Sequence, residues 1–316
     1  MKNMTDNVIG DEHMLDINYE LYKVFYYVAT TLSFSEASRK LFISQSAVSQ
    51  SVKALETRLG QTLFVRSTKK VQLTPEGEIL FRHIEPAMNL IRRGESQLIE
   101  SSGSGGGQLH IGASDTICRY FLVPFIGRFH KSYPNVHIKV TNSTSLGCAD
   151  LLESGQVDLI FSNYPNERLS NLNHIEIVKE FQDVFLASQD FAHLKDHKIP
   201  LKELSREPIL MLDRNSTTSE FLHSFFQQHQ LDLVPEVELS SNDLLIDLAR
   251  IGLGIAFIPD YCVPRSRTLF TIRTQEKLPK RQIAAAYSSQ IPLTHTAEHF
   301  LDLFRKNAPA GTAADK

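Results

Sequence analysis

The stretch FSEASRKLFISQSAVSQSVKALETRLG, residues 34–60, leaves this part of the chain little conformational choice. Ser33, followed three residues later by Glu36, forms a capping box that opens a short helix through about Leu41. Phe42, Ile43 and Ser44 then make a tight connection, and Ser44 can cap a longer helix that runs to Leu59 and stops at Gly60. Val48, Val52, Leu55 and Leu59 recur at helical spacing and define an inward stripe, with Ala37 and Leu41 from the shorter helix. The opposite face carries Gln45, Ser46, Ser49, Gln50 and Lys53. Short hydroxyls and amides solvate a helix less well than Glu and Lys do. They suit close approach to a hydrogen-bonding surface.

The flanking sequence completes a module. Leu21, Val24, Phe25, Val28 and Ala29 mark an earlier helix, and LFVRSTKKVQLT reads as two short strands around a basic turn, with Phe64 in the core. Three helices followed by a basic hairpin make a winged helix-turn-helix over residues 17–74. Thr74 and Pro75 fit the start of a long helix over 75–100. Leu80, Ile84, Ala87, Ile91 and Leu98 repeat along it at three- and four-residue spacing, with Gly94 at one seam position and Pro86 predicting a bend or local break. That stripe suits a helix lying on its own domain or a seam between two copies; a helix with little local surface to cover favours the seam. SSGSGGG, residues 101–107, reads as a flexible hinge.

From residue 108 the pattern changes to α/β alternation, which extends to about 304. QLHIGAS, VHIKVTN, VDLIFSN, DVFLAS, PILML and GIAFIP are strand-like, and helical stretches such as LGCADLLESG, FLHSFFQQHQ and DLLIDLARIG lie between them. This rhythm predicts two small subdomains around a crevice. Ser114 and Thr116 follow one strand, and Asn142, Ser143 and Thr144 follow another. Asn215, Ser216, Thr217 and Thr218 precede a helix. Strand ends and the helix N-termini beyond them suit an anion or small polar ligand, although Ser and Thr also cap helices for purely structural reasons. Asp115 or Asp213 would favour a cationic group.

Charge divides along the same boundary. Residues 31–74 carry seven Lys and Arg against two Glu, a balance of +5, so the remainder sums to −8 within a chain of net charge −3. A short module suited to a polyanion is joined to a body that is not. The three cysteines, Cys118, Cys148 and Cys262, are too scattered for a disulfide framework, which points to a reducing cytoplasm. No apolar run approaches eighteen residues, so no membrane partner is expected. The twelve histidines form no HExxH, and neither a CxxC nor a P-loop is present. No enzyme, metal site or cofactor is expected.

FYYVATTLSFSEASRKLFISQSAVSQSVKALETRLGQTLFVRSTKKVQLTPEGE resembles the LysR-type transcriptional regulators, and the segment from QLHIGASDT through GLGIAFIP is similar to that family's effector domain. The resemblance implies a bacterial regulator of double-stranded operator DNA, assembled as a homodimer or a dimer of dimers. It also implies a periplasmic-binding-protein-like body of two Rossmann-like subdomains holding a small-molecule effector, and RNA polymerase as a further candidate partner. Gln45, Ser46, Ser49 and Gln50 are expected at base edges, with Lys53 on phosphate or guanine. Ser35 and Arg39 are candidates for phosphate, together with Lys69 and Lys70 in the wing turn. Arg66 resembles the family's wing arginine. The family often has Pro in place of Ser46 and Arg in place of Gln50, departures that bear on the operator sequence and not on the fold. The competing reading is a cytoplasmic small-molecule-binding protein without specific DNA recognition.

Overall fold

The computed structural model describes residues 17–66, 70–101, 106–166, 168–169 and 174–305. The chain divides into two compact units, Met1–Ile91 and Arg92–Lys316. The first begins with helices α1 (Tyr19–Thr31), α2 (Phe34–Leu41) and α3 (Gln45–Leu59). Strands β1 (Phe64–Arg66) and β2 (Val71–Leu73) follow, paired antiparallel with Val65 opposite Gln72. Ser33 Oγ accepts from Glu36 N at 3.2 Å, one of the two bonds of a capping box, while the Glu36 carboxylate pairs with Arg39 at 3.1 Å. Ser44 Oγ accepts from Ala47 N at 3.2 Å, and Gly60 ends α3 at φ +66°, a backbone that a side chain would strain. Phe25, Val28, Ala37, Val48, Val52 and Leu55 are fully buried. Phe64 joins them, its ring centroid 5.4 Å from that of Phe25. Glu56 ties the wing to α3 by accepting from Leu63 N at 2.8 Å and Phe64 N at 3.3 Å.

Helix α4 (Pro75–Ser101) starts where expected: Thr74 Oγ1 accepts from Gly77 N at 2.9 Å and donates to Thr62 O at 2.7 Å. A Cβ on Gly77 would stand 2.2 Å from Leu63 O, so glycine permits the helix to approach that backbone. The helix continues through Pro86 without the break its sequence suggested. Leu80 and Ile84 are half-buried against the core of their own unit, together with Phe81, whereas Ala87, Ile91 and Leu98 are exposed. The division between the two compact units falls within α4. Of the glycine-rich hinge, residues 102–105 lie outside the described residues.

The second unit contains β3 (Gln108–Ala113), α5 (Asp115–Ile117), a π-helical turn at Cys118–Leu122, α6 (Val123–Ser132), β4 (His137–Asn142), α7 (Ser145–Glu153) and β5 (Leu159–Tyr164). Next come β6 (His174–Ser188), β7 (Lys198–Ile199), α8 (Leu201–Leu204), β8 (Ile209–Leu212), α9 (Thr217–Gln228) and β9 (Val237–Leu239). It closes with α10 (Asn242–Arg250), β10 (Ile255–Pro259), β11 (Leu269–Thr274), β12 (Lys280–Tyr287) and α11 (His295–Arg305). Strands β4, β3 and β5 pair in parallel, as do β10, β8 and β9 in a second half-sheet. Strand β6 joins them: residues 174–182 pair with β12, and residues 183–188 pair with β10 and β11. Each half has its own cores, with Phe129, Phe161 and Phe300 in the first and Phe185, Phe226 and Phe257 in the second.

Truncating Phe25 to Ala should destabilise the first unit by about 3–5 kcal/mol, because the cavity can collapse only partly. Urea unfolding followed by far-UV circular dichroism should show an earlier transition for the variant. An unchanged midpoint would mean that Phe25 is not central to this core.

Candidate functional site

The outward face of α3 presents Gln45, Ser46, Gln50 and Lys53 as exposed side chains, with Ser49 half-buried between them. Ser46 Oγ lies 2.9 Å from the capping Ser44 Oγ, so one of its hydrogen-bonding positions is already occupied. Ser35 is exposed, and Arg39 is exposed within its pair to Glu36, a weak surface interaction that phosphate could replace. Lys70 is exposed beside the turn. Lys69 lies outside the described residues, as does the side chain of Arg66, whose backbone ends β1.

In the second unit, the loops identified from sequence converge on one cavity of about 300 Å³. Ser114 and Thr116 border it from the end of β3, Asn142, Ser143 and Thr144 from the end of β4, and Ser216, Thr217 and Thr218 from the start of α9. Asn215 does not line it; its backbone N–H donates to Asp213 Oδ1 at 3.1 Å, holding the preceding turn. The hydroxyls cap helices as well. Thr144 Oγ1 accepts from Gly147 N at 3.1 Å, Ser216 Oγ from Ser219 N at 3.1 Å, and Ser114 Oγ from Ile117 N at 3.3 Å. Capping is thus their local role, and it is also what brings helix ends to the cavity.

Several lining residues carried a weaker sequence signal. Asn163 closes β5 and Asn242 opens α10, and both face the cavity with Ser240 and Tyr261. The strings VDLIFSN and SSND resemble the polar ends of the other strands, with Asn163 following Ser162 and Asn242 lying between Ser241 and Asp243. The two bond across the halves in mirrored fashion. Asn163 Nδ2 donates to Thr217 Oγ1 at 3.2 Å, and Asn242 Nδ2 donates to Thr116 Oγ1 at 2.8 Å. The π-helical turn adds a third bridge, with Tyr120 OH donating to Asp243 Oδ1 at 2.6 Å.

The family model for the bacterial regulatory helix-turn-helix protein of the LysR family matches residues 19–78, and that for the LysR substrate binding domain matches residues 102–309. The chain belongs to the LysR family. It is a DNA-binding transcriptional regulator with an effector domain, not an enzyme; regulators of this family bind operator DNA and self-associate as dimers or tetramers. Among relatives of this LysR-family chain, the HTH-type transcriptional activator CmpR of Synechocystis is 28% identical over 76% of this chain and 78% of that protein. The "Probable RuBisCO transcriptional regulator" of Gracilaria tenuistipitata is 32% identical over 72% of this chain and 74% of its own length. Full-length OxyR of Pseudomonas aeruginosa shares the fold, with a TM-score of 0.70 at 20% identity, covering 92% of this chain and 95% of that one. Full-length CbnR in complex with its target DNA shares it with a TM-score of 0.65 at 17% identity, covering 92% and 100%.

Cys118 follows the cavity-lining Ile117 in the chain and is half-buried, but is not itself part of the lining. Burial and the neighbouring Asp115 carboxylate push its thiol pKa up, which opposes the thiolate needed for redox chemistry. No group of three or more His, Cys, Asp or Glu among the described residues is arranged to hold a metal. His193, four residues before His197, pairs instead with Glu207 at 3.3 Å.

Sequence reading missed the ion pair that underlies the cleft. Arg281 of β12 is 4% exposed and Asp183 of β6 is fully buried, with 2.9 Å between them. The Arg281 guanidinium also donates to Thr218 Oγ1 at 3.1 Å and Thr217 Oγ1 at 3.3 Å, between the rings of Phe181 and Phe221. Burial pushes the Asp183 carboxyl pKa up against the pull of Arg281. Arg281→Met should destabilise the second unit by about 3–5 kcal/mol at neutral pH, since Asp183 is left without its cation. Its raised native pKa means that proton uptake favours the folded variant. The stability deficit should therefore shrink as pH falls and grow as pH rises through that pKa. Thermal unfolding across pH checks the sign, and a constant deficit would exclude this origin.

Proposed function

We propose that α3 reads operator bases through Gln45, Ser46, Ser49 and Gln50, with Lys53, Ser35, Arg39 and the wing residues Arg66, Lys69 and Lys70 placed for backbone or groove contacts. A small-molecule effector in the cleft modulates operator binding or DNA bending. The observation that carries this reading is the convergence of three separate hydroxyl-bearing loops on one cavity, within the body of a regulator whose head presents a short polar helix face. An effector favours whichever arrangement it binds more tightly, and can shift the balance only by that difference in affinity. The cytoplasm is the proposed location, and RNA polymerase the partner on which altered promoter geometry would act. Mapping bound genomic sites, then footprinting one with and without metabolites made by adjacent genes, tests the reading. The RuBisCO regulation carried in several relatives' names supplies one set of genes to check. A footprint indifferent to every such metabolite would count against effector control.

Gln50→Ala should lose about 1–3 kcal/mol of discrimination at one base pair, because glutamine can pair with adenine through two hydrogen bonds. Competition among single-mismatch duplexes should reveal the position. A wild-type ranking of all duplexes would remove Gln50 from base reading.

Self-association is assigned to the outer stripe of α4. Ile84 is a poor probe because it also packs on the head's own core, whereas Ile91 is 55% exposed. Ile91→Glu would bury a charge in that seam, so sedimentation should show dissociation at a higher protein concentration than for wild type, with the head still folded. Undiminished assembly would place the principal contact elsewhere.

A further inference from the structure

We infer that the cleft takes a small organic anion, a carboxylate or phosphate, that carries hydroxyl or amino hydrogens close to its charged group. This rests on the cleft being the effector site and specifies what that site can hold.

Charge and helix direction identify one end of the ligand. Among the described lining residues there is no Lys or Arg, and Arg281 commits its guanidinium to Asp183, Thr217 and Thr218. The N-terminal ends of α7, α9 and α10 all border the cavity, through Ser145, Thr217 and Asn242. First-turn N–H groups lack partners within their own helix, and each helix start carries roughly half a positive charge. Three such ends outweigh the one lining carboxylate, Asp115, which is itself exposed. The cavity thus attracts negative charge through neutral donors.

The buried asparagines identify the other end. Asn163 is 9% exposed and Asn242 is 4% exposed, and the Oδ1 of each is buried without a hydrogen-bond partner while its Nδ2 donates across the cleft. Tyr261 OH, on the same cavity, is likewise unpartnered. Buried acceptors without donors are unfavourable and rare, so two around one cavity point to what fills it. An anion alone would set its oxygens against those of Asn163 and Asn242. A ligand with O–H or N–H groups beside its charge satisfies both sets. About 300 Å³ accommodates roughly ten water-sized groups. That range includes short hydroxy acids, amino acids and sugar-type phosphates.

The test is isothermal titration of the full chain with D-glycerate, L-serine and glycerol 3-phosphate, against propionate (an anion without donors) and glycerol (donors without charge). At least one of the first three should bind, with propionate and glycerol at least tenfold weaker. Asn242→Asp and, separately, Asn163→Asp keep side-chain shape but add negative charge, and each should reduce binding more than tenfold. Both should also lower the melting temperature, because a buried carboxylate is left without a cation, so titrations are run well below each variant's unfolding transition. Asp115→Asn separates the sources: it should weaken an amino acid, whose ammonium it would no longer attract, and strengthen a hydroxy acid or phosphate. Propionate binding as well as the best probe, none of the three binding, or binding undiminished in both Asn variants would overturn the assignment. The regulatory reading is scored apart. A metabolite fraction that alters the operator footprint while none of the three binds would leave effector control standing and this ligand class refuted. Binding with no footprint change at any concentration would retain the class and refute control.

Discussion

A guanidinium buried between two aromatic rings sets the terms for the effector domain. Arg281 and Asp183 lie on β12 and β6, adjacent strands of the path that connects the half-sheets, and both side chains are almost wholly removed from water. Such a pair contributes little net stability compared with a well-packed apolar substitute, because desolvation offsets much of the Coulomb attraction. Its effect is geometric. Arg281 reaches Asp183 while donating to the hydroxyls of Thr217 and Thr218, and so holds the start of α9 against the connecting strands. Misplacing α9 would leave several buried polar groups without partners, a penalty large enough to favour one arrangement.

The cleft follows from that arrangement and from parallel pairing. In each half-sheet the parallel strands end on the same side, and the helices that follow start there. Ser114, Thr144, Ser216 and Ser241 satisfy one first-turn N–H each. The remaining donors and the mirrored Asn–Thr contacts make the cavity polar without making it cationic. Among the described residues, the polar contacts across the cleft include Asn163 to Thr217, Asn242 to Thr116, and both Tyr120 and Arg119 to Asp243. Individual hydrogen bonds contribute about 0.5–1.5 kcal/mol, a scale on which a ligand can compete.

The head is held together differently. Its apolar stripe is continuous through α1, α2, α3 and the wing, and Glu56 supplies two backbone acceptor contacts that position the hairpin. The side chains left outside on α3 are short enough for close backbone approach to a partner. Stability resides in the inward stripe, so the polar face can vary without disturbing the fold.

Local periodicity and capping chemistry make the head legible in the amino-acid sequence: Ser33, Ser44 and Gly60 mark helix ends because their hydrogen bonds and backbone angles involve neighbouring residues only. The same logic locates the hydroxyl loops at Ser114, Thr144 and Ser216. It underestimates β6, of which only the apolar DVFLAS end stands out, because the earlier part alternates with exposed and half-exposed polar residues. It assigns the α4 stripe to a seam, yet Leu80 and Ile84 rest on the head's own core, a division that depends on how that core closes. Sequence by itself determined the succession of modules, the capped helix ends of the head and about half of the residues around the cleft. Tertiary structure alone decided that Asn163 meets Thr217, that Asn242 meets Thr116, and that Arg281 neutralises Asp183. Those partners are 54, 126 and 98 residues apart, and no local propensity records a bond that exists only after two half-sheets share a strand.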